Sequence, residues 1–71
     1  MEKIEFKLEG PHIELIQLLK ATGIAQTGGH AKMIVTEGEV IRNGEVELRK
    51  RAKVIVGDNL VVADQIQITI S

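Results

Sequence analysis

The stretch from Thr27 to Gly44 leaves the backbone little choice. Thr27 is a strong helix N-cap, because its hydroxyl accepts a hydrogen bond from a backbone N–H that a first turn leaves free. Gly38 suits the position just past a helix end, where a left-handed φ strains any residue with a Cβ. Between them Ala31, Ile34 and Val35 recur on one face at helical spacing. Asn43-Gly44 then separates Glu39-Val40-Ile41-Arg42 from Glu45-Val46-Glu47-Leu48. Asn-Gly between strand-like runs is the strongest short hairpin signal, since a type I′ turn needs positive φ at both central residues. A short helix must therefore feed directly into a hairpin.

The rest of the chain falls into place around that pair. Lys3-Ile4-Glu5-Phe6-Lys7-Leu8 alternates polar and apolar residues, which predicts a strand with Ile4, Phe6 and Leu8 facing inward. Gly10-Pro11 ends it, and proline favours the first turn of a helix. From His12 to Thr22 the residues Leu15, Ile16, Leu18 and Leu19 form an apolar helical face, closed by Gly23 with Ile24 placed for the contact that accompanies such a cap. Only a few residues separate this helix from the next, so the two must pack as an angled pair. Val54-Ile55-Val56 reads as a buried strand stopped by Gly57-Asp58. Leu60-Val61-Val62 and Ile66-Gln67-Ile68-Thr69-Ile70 read as a second hairpin across Ala63-Asp64-Gln65. The expectation is an α+β fold: a strand, two packed helices, then a small, mostly antiparallel sheet, with residues 1–71 as one domain.

Composition narrows the function. The chain has no cysteine, hence no disulfide framework and no thiolate metal site, which fits a reducing, cytoplasmic setting. No apolar run approaches the roughly 18 residues that span a bilayer, and the charged N-terminus lacks a signal-peptide pattern. The net charge of −1 argues against a generic polyanion binder. The charge is unevenly spread, however. Residues 48–56 carry four positive charges and no acid, while the first nineteen residues carry four acids against two lysines. A field is local within a Debye length of about 8–10 Å, so a basic patch survives an acidic remainder. Phe6 is the one aromatic residue. Readers of single strands stack bases on aromatic platforms, so a nucleic acid would be held here through phosphates and shape.

Catalysis finds no support: no hydroxyl lies beside a plausible base in sequence. His12 and His30 stand in different predicted helices and are too few for a metal, which needs three or four converging ligands. No cofactor or small-molecule substrate is expected. Gly28-Gly29 is more informative. Each glycine costs about 1 kcal/mol against alanine inside a helix, yet at a first turn the pair leaves bare N–H groups at the positive end of the helix dipole, where a phosphate can approach closely. The plain alternative is a flexible junction between loop and helix. Lys32 sits in that first turn, where a cation opposes the dipole; an anion nearby would relieve the conflict, and a lysine reaching to water would equally explain it. Arg49-Lys50-Arg51 with Lys53 is the strongest signal, set against a solvated strand edge kept soluble by charge.

The ordered set Leu15, Leu18-Leu19, Gly23-Ile24-Ala25, Thr27, Ala31-Lys32, Gly38, Val40, Asn43-Gly44 and Gly57-Asp58 resembles the S-four RNA-binding domain, the αL-motif module named after a ribosomal protein. The likeness runs from about Ile13 to Leu60, and Thr27-Gly28-Gly29, Ala31-Lys32 and Arg49-Lys50-Arg51 are similar to the small stand-alone bacterial members. It implies binding of structured RNA, ribosomal RNA among the candidates, by the paired helices and the hairpin, with no catalysis. Thr27 takes the family's serine position, Lys32 its basic position, and Asn43 and Gly44 its turn. The chain departs from the family at Glu14 and Gly28, where arginines are usual, and at Arg42, in a slot usually apolar; the run from Arg49 to Lys53 stands where it can compensate. The expected RNA-binding residues are thus Thr27, Gly28, Gly29, His30, Lys32, Arg42, Asn43, Arg49, Lys50, Arg51 and Lys53, on a monomer. The rival is a protein-interaction module without nucleic acid. A DNA-binding helix-turn-helix has only His30 and Lys32 to offer a groove, and a ubiquitin-like carrier would need a C-terminal Gly-Gly where this chain ends Ile70-Ser71.

Overall fold

The computed structural model describes residues 1–71. Strand β1 (Glu2–Phe6) runs parallel to β7 (Ile66–Ile70), with Ile4 opposite Ile68 and Phe6 opposite Ile70. β7 pairs antiparallel with β6 (Asn59–Val62), β6 with β3 (Val40–Arg42), and β3 with β4 (Glu45–Val46). The resulting five-stranded sheet has the order β1-β7-β6-β3-β4, and a two-stranded sheet joins β2 (Ile13–Glu14) to β5 (Lys53–Val54). Helices α1 (Leu15–Ala21) and α2 (Gly28–Thr36) complete an α+β fold. Neither is long and apolar enough to cross a membrane.

The predicted stops and starts are where local chemistry puts them. The Thr27 Oγ1 accepts the His30 N–H at 3.0 Å, starting α2. Gly38, at φ +73°, closes it: the Gly38 N–H donates to the Val35 carbonyl and the Glu39 N–H to that of Ile34, satisfying two carbonyls the helix leaves over. Asn43 and Gly44, at φ +51° and +87°, form the type I′ hairpin turn. Leu15, Leu18 and Leu19 of α1 and Ala31, Ile34 and Val35 of α2 are buried in one core with Val40, Leu60, Val62, Ile68 and Ile70 of the sheet. Ile4, Phe6 and Leu8 pack against it half-buried.

Two expectations shift. The first helix begins at Leu15 instead of near His12, because Ile13 and Glu14 pair with Val54 and Lys53 as a strand. Its opening N–H groups are satisfied without a side-chain cap: Leu15 donates to the Ala52 carbonyl at 2.9 Å and Ile16 to that of Lys50 at 3.2 Å. The buried strand expected over Val54-Ile55-Val56 ends at Val54, leaving Ile55 and Val56 exposed. The cause is Asp58. Its carboxylate accepts the Ile55 N–H at 3.0 Å and its own N–H donates to the Ile55 carbonyl at 3.1 Å, bending the chain through Gly57 at φ +97°.

Candidate nucleic-acid interface

The two bonds that start α1 also fix the basic run. By donating to the carbonyls of Ala52 and Lys50, Leu15 and Ile16 hold residues 49–53 across the head of α1, so their side chains fan outward. Arg49, Lys50, Arg51 and Lys53 are all exposed, while Ala52 and Val54 beneath them are buried. Alternating burial thus separates anchor from cation along the run.

Lys32 of α2 reaches the same place. It lines a shallow depression of about 600 Å³ together with Lys50 and Arg51. Glu14 and Gln17 of the α1 region form its polar wall, and Ile16 and Leu48 its aliphatic part. Arg51 also borders an adjoining hollow with Arg49 and Lys53, so the five cations form one continuous surface. Within it Arg51 meets Glu14 at 3.3 Å, an exposed contact of the kind worth little in water.

The helix tip is open. Gly28 and Gly29 have no positive φ; a Cβ on Gly28 would meet nothing within 4 Å, and one on Gly29 only the Thr27 Oγ1 at 3.9 Å. Neither conformation nor packing therefore calls for glycine at these positions. No side-chain or loop acceptor faces their N–H groups. The glycines and His30 do not line the depression; Lys32, one turn beyond Gly28, links tip and depression along α2.

Arg42 and Asn43 are placed differently from the other expected residues. The Arg42 guanidinium is largely buried and fully engaged: it donates to Asp58 Oδ2 at 2.7 and 3.1 Å, to Glu47 Oε1 at 3.2 Å and to the Lys53 carbonyl at 2.7 Å. Asn43 donates to Asp58 Oδ1 at 3.0 Å and accepts the Asn59 N–H at 2.9 Å. Their polar groups are thus engaged within the fold, tying the hairpin to the turn at Gly57-Asp58, although Asn43 is exposed and Arg42 borders the same hollow as Arg49 and Lys53. Sequence reasoning passed over the acid at the centre, Glu47, which looks like a polar strand residue yet is 9% exposed. It accepts both Nε and Nη2 of Arg49, at 3.0 and 3.1 Å, while touching Arg42. The Arg49 hydrogen bonds hold the Glu47 carboxyl down at about 2 despite the opposing effect of burial. Burial likewise pushes Asp58 up, but the Ile55 N–H, Asn43 and Arg42 together keep its carboxyl below the usual range. No three His, Cys, Asp or Glu side chains converge as a metal site would require.

Comparison with known proteins identifies the fold and the family. The S4 domain model matches residues 6–71. Over 53 residues the chain is 43% identical to YbcJ of Escherichia coli K12, covering 75% of this chain and 76% of that protein. Over 46 residues it is 44% identical to the "Probable ribosome maturation protein RlbA" of Bacillus subtilis, covering 65% of each. The solution structure of E. coli YbcJ, described as revealing an αL motif involved in RNA-binding, superposes with a TM-score of 0.68 at 39% identity, over 92% of this chain and 85% of that one.

Proposed function

The chain belongs to the S4 domain family, a family of binding modules and not of enzymes, and from that premise we propose that it binds structured RNA by its phosphate backbone. The observation that carries the reading is the convergence of Lys32 with Lys50 and Arg51 on one depression, continued by Arg49 and Lys53, in a chain whose net charge is −1. Cations that share a field repel one another, and a polyanion on that surface removes the repulsion. The bare Gly28 and Gly29 amides receive one phosphate, with Thr27 and His30 at the same tip, and the five cations neutralise its neighbours along the strand. Arg42 and Asn43 act from behind, holding the hairpin and the 49–53 run in place.

The name of the B. subtilis relative supports ribosomal RNA as the partner. The same reading has the domain working as a cytoplasmic monomer. With four of the five cations each neutralising a phosphate, log K for a folded RNA falls against log salt with a slope of about −3 to −4. Filter binding between low and moderate salt measures it, and a flat response rejects the proposal. Exchange of Arg49, Lys50 and Arg51 for glutamate separates this reading from a protein-interaction module. RNA binding is lost in the first case, and a protein partner is kept in the second.

A further inference from the structure

We propose that the depression between α1, α2 and the 48–51 segment takes a single unpaired guanine from the bound RNA, a deepening that rests on the RNA-binding reading above. Two features of this surface serve no phosphate. Leu48 stands 59% exposed beside the cations. Glu14 places a carboxylate among Lys32, Lys50 and Arg51. A phosphate set against that carboxylate is repelled, so the backbone passes to either side and whatever lies over Glu14 must offer donors.

Among the bases only guanine presents two adjacent donors, N1–H and N2–H2, which a carboxylate accepts as a pair. Its O6 lies next to them and accepts from an amide. Gln17 supplies that amide, three residues on from Glu14 and lining the same wall. Ile16 and Leu48 give the ring an aliphatic surface, and the open depression of about 600 Å³ has room for one base laid against that wall. In a duplex this edge of guanine is already paired, so the base must come from a bulge or loop. With no aromatic side chain in its lining, the depression has no platform for a run of stacked bases. One base is what it accommodates. The long, exposed contact between Arg51 and Glu14 opens as Arg51 turns to a flanking phosphate and Glu14 to the base.

The test uses the whole chain and fluorescence anisotropy on one RNA hairpin carrying a single bulged G, A, C, U or inosine, or no bulge. Bulged guanine is expected to bind at least tenfold tighter than the other standard bases, as for other paired contacts to a base edge. Inosine, which lacks the N2 amino group, falls between. Glu14→Gln removes the ranking and leaves common binding to all hairpins, while Leu48→Ala weakens the guanine-bulged hairpin and leaves the unbulged one unchanged. Glu14 makes no side-chain cap bond, so the variant keeps its helix, which circular dichroism verifies. If all bulges bind within twofold with a steep salt slope, the guanine site is overturned and RNA binding stands. If Glu14→Gln tightens every hairpin equally, Glu14 only restrains Arg51 and the proposal again fails. If the wild type binds no hairpin at low salt, both readings fall.

Discussion

Arg42 and Arg49 carry the same charge seven positions apart, yet only one is free to meet a ligand. Arg42 is 17% exposed with its donors spent on Asp58, Glu47 and a carbonyl, whereas Arg49 is 75% exposed and leans on Glu47 by one edge of its guanidinium. Sequence displays charge but not partner. Asp58 lies sixteen positions beyond Arg42, and no local pattern joins the two. The Asn43-Gly44 turn was legible because its cause is contained in two residues. Glu47 decides how Arg49 is presented, and the depressed carboxyl makes it a stability determinant too. Its folded value of about 2 lies below the ordinary 4.5, so its ionised form favours the fold. That contribution is complete above about pH 5 and is lost as pH falls toward 2; Asp58, shifted the same way, adds to it. Thermal melts should show the midpoint falling across that acid window. In Glu47→Gln most of the fall disappears, and stability at neutral pH drops by about 2 kcal/mol, discounted because Arg49 is solvated.

Among the elements, legibility follows the range of the interactions that define them. The capped ends at Thr27, Gly23 and Gly38 were readable because their signals lie within one turn, and β7 because its apolar pattern has period two. Strand β2 was not, and β5 was legible only at Val54, since two-residue strands exist only through pairing with each other across the fold. The turn at Ala63-Asp64 is the opposite case: a signal that the sequence contradicts. Both residues hold φ +54°, and Ala63 has no side-chain hydrogen bond to ease it. An Asn-Gly pair suits this geometry, so Ala63→Asn with Asp64→Gly should stabilise by about 1 kcal/mol, raising the melting temperature by about 4–8 °C. The tip of α2 invites the converse substitution. Alanine at 28 and 29 meets open space and is a better helix former, so the fold should be as stable as before or more so. RNA affinity should nevertheless fall several-fold, because two methyl groups stand where a phosphate approaches the amides. Binding unchanged alongside a higher melting temperature assigns the glycines no contact.

At the scale of the whole molecule, two of the acids stand across the sheet from the strand that leads into the basic run. Glu2 and Glu5 lie on β1 at one edge, with three strands between it and β4 at the other, whose chain continues into Glu47, Arg49 and the basic run. The molecule extends 26 × 23 × 20 Å. At physiological salt the Debye length is about 8 Å, so the acidic edge is electrically remote from the cationic face. This makes net charge and local field separable. Glu2→Lys with Glu5→Lys, two changes of two charges each, moves the net charge from −1 to +3; Lys50→Glu with Arg51→Glu moves it from −1 to −5. All four side chains are exposed, so each double variant should fold with little change in stability. If RNA answers to net charge, the two variants shift affinity in opposite directions by comparable factors. If it answers to the surface shared by Lys32, Lys50 and Arg51, the first variant binds within about threefold of the parent at 0.15 M salt, while the second loses at least tenfold, with a salt slope shallower by roughly 2. Lowering the salt to 0.01 M lengthens screening to about 30 Å, beyond the molecule itself. There the Glu2 and Glu5 substitutions should begin to tighten binding, a crossover that fixes the distance between the acidic edge and the bound RNA.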